Sequence, residues 1–432
     1  MNKSKKTFLI LIGAVIVGIL WRLLYLWQFS ASPLFSHPMG PDVAEYDQWA
    51  RQIIGGQWLW RTVQIHAPLY PYFLAFLYWL TGYDFIWVRF IQLLVGLAGA
   101  VPVYFELCRG QWRRPGLTAL IFAGIVLIYP PLIYYQAELT SEVLLLPLLA
   151  LSWFLLRRRY YLAGGIMAGL AAITHPGTLV FIAGELLMLA LIPRWKPRPA
   201  LMFLLGSLIF IAPVVGYNSY LEGRFVPIQK NGGLNFYLGN NIEADGTCNV
   251  RPGPDWEYLT RTTANEAEKL GCGMDRIYTR NAFRFIRDNP LTFIRLCLRK
   301  AVLVWNWREL IAGADAESIR YFTAFQRYTA WSFMVVGILG LSGFICVLAC
   351  WRKLMEYRHA VWWLVSFWLL QVITVTSGRY RTAMLYPIFI FAALLFGEFV
   401  RRKRFRPVLL TLVVLAAALV VILPRAPYDA RD

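Results

Sequence analysis

Apolar runs long enough to cross a bilayer recur along nearly the whole chain, and no other feature limits the possible folds as much. In hydrocarbon every backbone amide must find its partner inside its own segment, so runs of this kind fold as helices. The candidate spans are 7–29, 85–107, 116–134, 139–156, 162–174, 177–193, 200–217, 327–350, 360–377, 382–400 and 407–423. Composition agrees, since 58% of the 432 residues are hydrophobic and only 16% are charged, more apolar surface than a soluble core absorbs. The expected fold is an all-α polytopic membrane protein of about 11 transmembrane helices with interfacial helices and outer loops. The first run continues past Trp21 to Trp27 without a small-residue cleavage pattern and reads as an uncleaved helix.

A formal charge of +19 would suggest nucleic acid for a soluble protein, but here the basic residues cluster in short links between apolar runs. That is the positive-inside pattern, and no nucleic-acid partner is expected. The clusters Lys3/Lys5/Lys6, Arg109/Arg113/Arg114, Arg157–Arg159, Arg194/Lys196/Arg198, Arg352/Lys353/Arg358 and Arg401–Arg404 all fall on one side only if two apolar stretches do not cross. One is 68–82, which is short and opens at Pro68 and Pro71; the other is 291–311, which carries Arg295, Arg299 and Lys300 on roughly one face. Both are expected at the interface. The pair 162–174 and 177–193, broken by His175-Pro176-Gly177, reads as a hairpin with His175 near the outer turn. The resulting orientation is that of a cytoplasmic-membrane protein with its N-terminus inside and any active site on the periplasmic or extracellular face. Three regions follow: a membrane module at 1–217 bearing the first two outer loops, an outer region at 218–326, and C-terminal helices at 327–432.

Polar chain is concentrated in four outer segments, 30–84, 134–142, 218–326 and 378–381, so chemistry is expected there. The first contributes Asp42, Glu45 and His66, and the second puts Glu138 and Glu142 four residues apart at a helix mouth, where acids also serve a helix N-terminus. The long segment contains NGGLNFYLGNN at 231–241, whose glycines permit tight turns or close approach to a ligand; the rest of it reads as irregular chain. Arg379 and Arg381 lie on the side that disfavours cations, and anion binding is the simplest reason. Carboxylates from two segments facing the cations His66, Arg295, Arg299, Lys300, Arg379 and Arg381 suit a reaction between an acceptor that must lose a proton and a lipid donor that carries phosphate. Cys108, Cys346 and Cys350 read as packing residues, no cysteine spacing reads as a zinc site, and Cys248 and Cys272 share the long segment, where they pair if it faces an oxidising compartment.

Taken in order, the first outer loop with Asp42 and Tyr46, then HAPLYP, YYQAELTSE, GLAAITHP, NGGLNFYLGNN and SGRYRTAMLYP, the chain resembles the GT-C superfamily of polyprenyl-phosphate-sugar glycosyltransferases. The branch is that of protein O-mannosyltransferases and the lipid A aminoarabinose transferase. The resemblance implies a polyprenyl-phosphate-linked sugar as donor, a glycan, lipid or protein as acceptor, and no redox cofactor, and it leaves a divalent metal open because no ligand set is visible. It makes Asp42 and Glu138 the catalytic acids and places Glu45, Tyr46, Tyr70, Asn235, Tyr237 and Asn240 around the substrate. Asp42-Val43 stands where relatives often have Asp-Glu, which leaves Glu45, or no residue, as the second acid. His66-Ala67-Pro68 keeps the cation but only one proline of the usual pair. A transporter or flippase would use the same cations, but would also put ionisable residues or helix breaks at mid-membrane, where Glu185 and His175-Pro176 are the few candidates. A non-catalytic scaffold would need neither acid.

Overall fold

The computed structural model of the chain describes residues 3–36, 41–110, 114–191, 197–248, 254–310, 323, 324, 327, 329–399, 413–418 and 420. The membrane-facing helices are α1 (Lys3–Ser30), α5 (Phe85–Ala98), α6 (Ala100–Arg109), α7 (Pro115–Ile128), α8 (Pro130–Ala137), α9 (Glu142–Arg157), α10 (Tyr161–Ala172), α11 (Thr178–Leu191) and α12 (Pro197–Glu222). Between α1 and α5 lie the short α2 (Pro33–Ser36) and the outer pair α3 (Pro41–Ile54) and α4 (Leu69–Thr81). Beyond α12 come α13 (Gly232–Leu238), α14 (Pro254–Lys269), α15 (Met274–Asp288), α16 (Pro290–Leu303), α17 (Thr329–Leu348), α18 (Trp351–Ile373) and the long helical stretch α19 (Gly378–Phe399). Among the described residues there is no strand, only one isolated bridge between Thr247 and Thr376.

Each expected span except the last is helical, 85–107 and 116–134 as two consecutive helices each, while most of 407–423 and the basic residues Arg113, Arg194, Lys196 and Arg401–Arg404 lie outside the described residues. Length and hydropathy alone qualify four helices as bilayer spans, Ile12–Ser30, Phe85–Arg109, Pro197–Glu222 and Gly378–Phe399, with a fifth in the bent pair α7 and α8. The count of eleven is therefore not reproduced by that criterion. Helices α10, α11 and part of α17 are apolar but short, and α18 opens with Arg352, Lys353, Glu356 and Arg358. Two expectations for the long outer segment change. Most of its described length is helical rather than irregular, and the interfacial helix ends at Leu303, short of residue 311.

The bend between α7 and α8 has a covalent cause. Pro130 and Pro131 lack amide hydrogens, so the carbonyls of Val126 and Leu127 lose their helical donors and the axis turns by 56°. Arg22 of α1, wholly buried, supplies the missing hydrogens: its Nη2 donates to Val126 O at 3.3 Å and its Nη1 to Leu127 O at 3.4 Å. Nη2 also reaches Gln136 Oε1 at 3.3 Å. A charge inside the apolar body is thus matched to the acceptors that a proline break exposes.

The residues expected on the two membrane faces gather at the two ends of the helices. At one end Glu106 holds Arg157 at 2.9 Å and Arg158 at 2.7 Å, and Lys353 pairs with Glu356 at 2.9 Å. At the other end Leu69 N donates to Ile173 O at 3.0 Å, Gly378 N to Leu310 O at 2.8 Å and Thr376 N to Gly246 O at 3.1 Å, which joins 30–84 to the hairpin turn and 218–326 to the start of α19. Along α9 the ends are about 22 Å apart, from Glu142 to Arg157 at 1.5 Å per residue.

Helices α10 and α12 touch backbone to backbone. Gly165 and Gly169 face the carbonyls of Phe203 and Ser207, and Gly206 faces that of Leu162, with no room for a Cβ at any of the three. Small residues at this spacing let helices approach closely where no hydrophobic force draws them together. On the same helix Gly216 is exposed and has nothing near it. Gly169→Val is therefore expected to abolish monodisperse protein in size-exclusion chromatography, whereas Gly216→Val leaves the profile unchanged; equal behaviour of the two variants would remove the contact from this role.

Candidate active site

Helix α3 begins at Pro41, which fixes its first turn and sets Asp42 at the helix N-terminus, where the dipole favours a carboxylate. Its side chain is 36% exposed and forms an ion pair through Oδ2 with Nη1 of Arg379. Arg379 lies in the first turn of α19, which Ser377 caps by accepting from Tyr380 N at 3.0 Å. Its Nε donates to Glu142 Oε1 at 2.6 Å. Glu142 opens α9 and is buried, and its second oxygen has no hydrogen-bond partner among the described residues.

His66 completes the cluster. Its ring stacks on Tyr46 at 4.4 Å, and Tyr46 in turn meets Tyr70 edge-on at 4.9 Å. Nε2 lies 3.0 Å from Glu45 Oε2 and 3.7 Å from Asp42 Oδ1, but its direction makes a hydrogen bond to neither. Burial by itself would raise the Asp42 carboxyl, but the Arg379 guanidinium, helped by His66, outweighs it and holds Asp42 below its usual range. The cleft therefore brings three carboxylates against one guanidinium and one imidazole, with unpartnered atoms of His66 and Glu142 in its wall.

Glu138 sits beside this cluster rather than in it. Burial raises its carboxyl above the usual range, against the pull of Arg89 at 3.5 Å. Arg89 also donates to Ala137 O at 2.6 Å and Phe35 O at 3.4 Å and lies over the rings of Phe29 and Phe35. Gln92 donates to Glu138 O at 2.9 Å and accepts from the wholly buried Tyr70 at 2.8 Å, so Tyr70 lies beneath the cleft instead of lining it. Of the other expected substrate residues, Asn235 reaches the Tyr380 hydroxyl at 3.5 Å and Tyr237 packs on Tyr278 at 5.6 Å. His175, at the hairpin turn, has its ring 6.0 Å from that of Tyr380, and burial lowers its pKa.

The expected ring of cations is not assembled. Lys300 is buried, donating to Gly239 O at 3.0 Å, Asn240 Oδ1 at 3.1 Å and Thr374 O at 2.8 Å, so both Lys300 and Asn240 are structural. Arg381 is spent on Glu309 at 2.6 Å and lies over the Phe333 ring. Arg295 and Arg299 are exposed on α16, with no ion pair among the described residues. Among the described residues only His66 and Arg379 of these cations reach Asp42. Two of the three glycines of 231–241 serve protein contacts, since a Cβ on Gly239 would strike the Thr374 carbonyl and one on Gly233 the Asp275 carbonyl, while Gly232 has open space around it. Cys248 and Cys272 are both free thiols; burial, with Asp42 adding to it, pushes the Cys248 thiol up to about 11. Among the described residues no group of three or more His, Cys, Asp or Glu could hold a metal ion.

Arg89, Glu309 and Tyr380 had not been singled out in the sequence. Only Arg89 left a signal there, as the one basic residue inside the run 85–107. Burial pulls the Lys300 amine down to about 8, yet every neighbour named above is an acceptor that needs its hydrogens. Lys300→Met is expected to lower the melting temperature by several degrees, by orphaning those oxygens; an unchanged melting curve with weakened lipid binding would return Lys300 to the phosphate site.

No family model matches the chain, and no curated protein matches it either. Among solved structures the chain is similar to ArnT from Cupriavidus metallidurans bound to undecaprenyl phosphate, at 14% identity, with 92% of this chain and 78% of that one covered and a TM-score of 0.44. The apo state of the same protein gives 15% identity, coverage of 91% and 77%, and a TM-score of 0.41. The Archaeoglobus fulgidus oligosaccharyltransferase, complexed with zinc and sulfate, gives 15% identity, 97% of this chain and 54% of that one, and a TM-score of 0.47. At these identities and TM-scores below 0.5, the site is read from its own residues.

Proposed function

We propose that the chain is a membrane glycosyltransferase that moves a sugar from a polyprenyl-phosphate-linked donor to an acceptor on the outer face, with inversion and with Asp42 as base. The observation that carries this reading is Asp42 itself, a carboxylate with 36% of its side chain exposed, joined through Arg379 to the buried Glu142. The order of outer-loop motifs supports it as well.

In the proposed reaction an acceptor hydroxyl or amine attacks the anomeric carbon in line and gives its proton to Asp42. The new bond forms as the carbon–oxygen bond to phosphate breaks, and the electron pair leaves on polyprenyl phosphate. That leaving group is a stable anion, so it needs no general acid, and Arg379 balances its growing charge. A single in-line displacement inverts the centre. Glu138 is proposed to shape the cleft through its pair with Arg89.

A second reading, a transporter or flippase of lipid-linked or anionic cargo, is favoured by one observation. Glu185 and His359 form a buried pair at 2.7 Å between α11 and α18, and Glu185 Oε1 has no partner among the described residues. The two readings separate on Asp42→Asn. Glycosyl transfer in that variant is expected to fall at least about 10²-fold while the protein stays monodisperse and retains lipid. Near-normal transfer would strip Asp42 of the base role, and cargo movement across reconstituted vesicles without any transfer would favour the transporter.

A further inference from the structure

Arg379 spreads its three nitrogens unequally. Nε is held by Glu142 Oε1 at 2.6 Å, Nη1 pairs with Asp42 Oδ2, and Nη2 makes no hydrogen bond among the described residues. The two carboxylates differ in access, since the Glu142 side chain is 3% exposed and that of Asp42 36%. An anion entering the cleft therefore meets the Nη1–Nη2 edge and Asp42, and does not reach the Nε–Glu142 side. That edge is the fork by which guanidinium binds phosphate oxygens in pairs, and a single Asp42 oxygen occupies half of it.

We propose that Arg379 is an exchange latch, in which the donor phosphate displaces Asp42 from Nη1 and takes the whole Nη edge while Glu142 keeps Nε, so that donor binding itself frees Asp42 to act as base. This inference rests on the polyprenyl-phosphate reading given above. It resolves a tension within that reading, because a carboxylate held by an arginine is a weak proton acceptor until the arginine is drawn away. Without donor the base stays neutralised. With donor, Asp42 accepts the acceptor's proton as the sugar–phosphate bond breaks, then passes it to water at the open mouth. When polyprenyl phosphate leaves, Asp42 takes Arg379 back. Glu142 is a positioning residue that keeps the guanidinium in place while its outer partner changes.

The latch also makes Asp42 a competitor of phosphate. If Asp42 holds Arg379 nine times in ten, apparent affinity for the anion is reduced about tenfold, and removing the carboxylate lifts that reduction. The test is equilibrium binding of a polyprenyl monophosphate to the full chain in detergent or nanodiscs. Asp42→Asn is expected to bind about tenfold more tightly than wild type, although it has lost a catalytic group. Glu45→Gln removes a neighbouring negative charge that pairs with His66 and makes no ion pair with Arg379, and is expected to change affinity less than about threefold. In an Arg379→Gln background the gain from Asp42→Asn should vanish. Asp42→Ala replaces the Asn variant if the latter is not monodisperse. Unchanged or weaker binding by both Asp42 variants overturns the latch, as does an equal gain from Glu45→Gln, which would mean simple relief of charge. Absence of polyprenyl phosphate binding in wild type and variants alike overturns the latch together with the functional reading beneath it, and so marks that reading as the point of failure.

Discussion

The contact between Arg379 and its two carboxylates ties together parts of the chain that are far apart in sequence. Asp42 follows the first membrane helix, Glu142 opens α9, and Arg379 begins the last helix described in full, so one guanidinium joins the outer ends of three helical regions. A cation at that depth is tolerable only with partners, and carboxylates at a membrane boundary have the same need. Each group supplies what the other lacks. The cleft exists because these charges have no cheaper arrangement, and its open side is the side where Asp42 is left partly in water.

The same economy governs the other buried cations. Arg22 answers the carbonyls exposed by the Pro130-Pro131 break, Arg89 answers Glu138 and the end of α8, Lys300 answers the turn at Gly239 and the end of α18, and Arg381 answers Glu309. All four join segments that are not neighbours in sequence. A basic residue near the membrane is thus more often a staple than a ligand site, because an unpaired charge there is expensive while a paired one rigidifies what it joins. Arg379 and His66 differ from Lys300 and Arg381 in that one carboxylate beside them, Asp42, is partly exposed, whereas Glu309, which holds Arg381, is buried.

Much of the architecture was legible without coordinates. Apolar runs marked the helices, and the distribution of Lys and Arg sorted the loops into two sets that meet at opposite ends of α9. The stretches 68–82 and 291–311, expected not to cross, each hold a helix, Leu69–Thr81 and Pro290–Leu303, the second ending short of its expected bound. The long outer segment was harder to read, because amphipathic helices such as α15 are short and interrupted by turns, and their charged faces resemble loop in sequence.

Sequence alone determined which segments are apolar enough to lie in lipid and which carry the polar chain, since both follow from transfer free energy, which is a property of each segment by itself. It also pointed to Asp42, His66 and Arg379. Only the tertiary structure decided that Arg379 reaches Asp42 while Lys300 and Arg381 turn inward, that Tyr70 lies beneath the cleft, and that Cys248 and Cys272 stay apart. Those outcomes depend on which acceptors lie within about 3 Å of each donor, and hydrogen bonds and ion pairs fall off too steeply with distance and angle for spacing along the chain to reveal them.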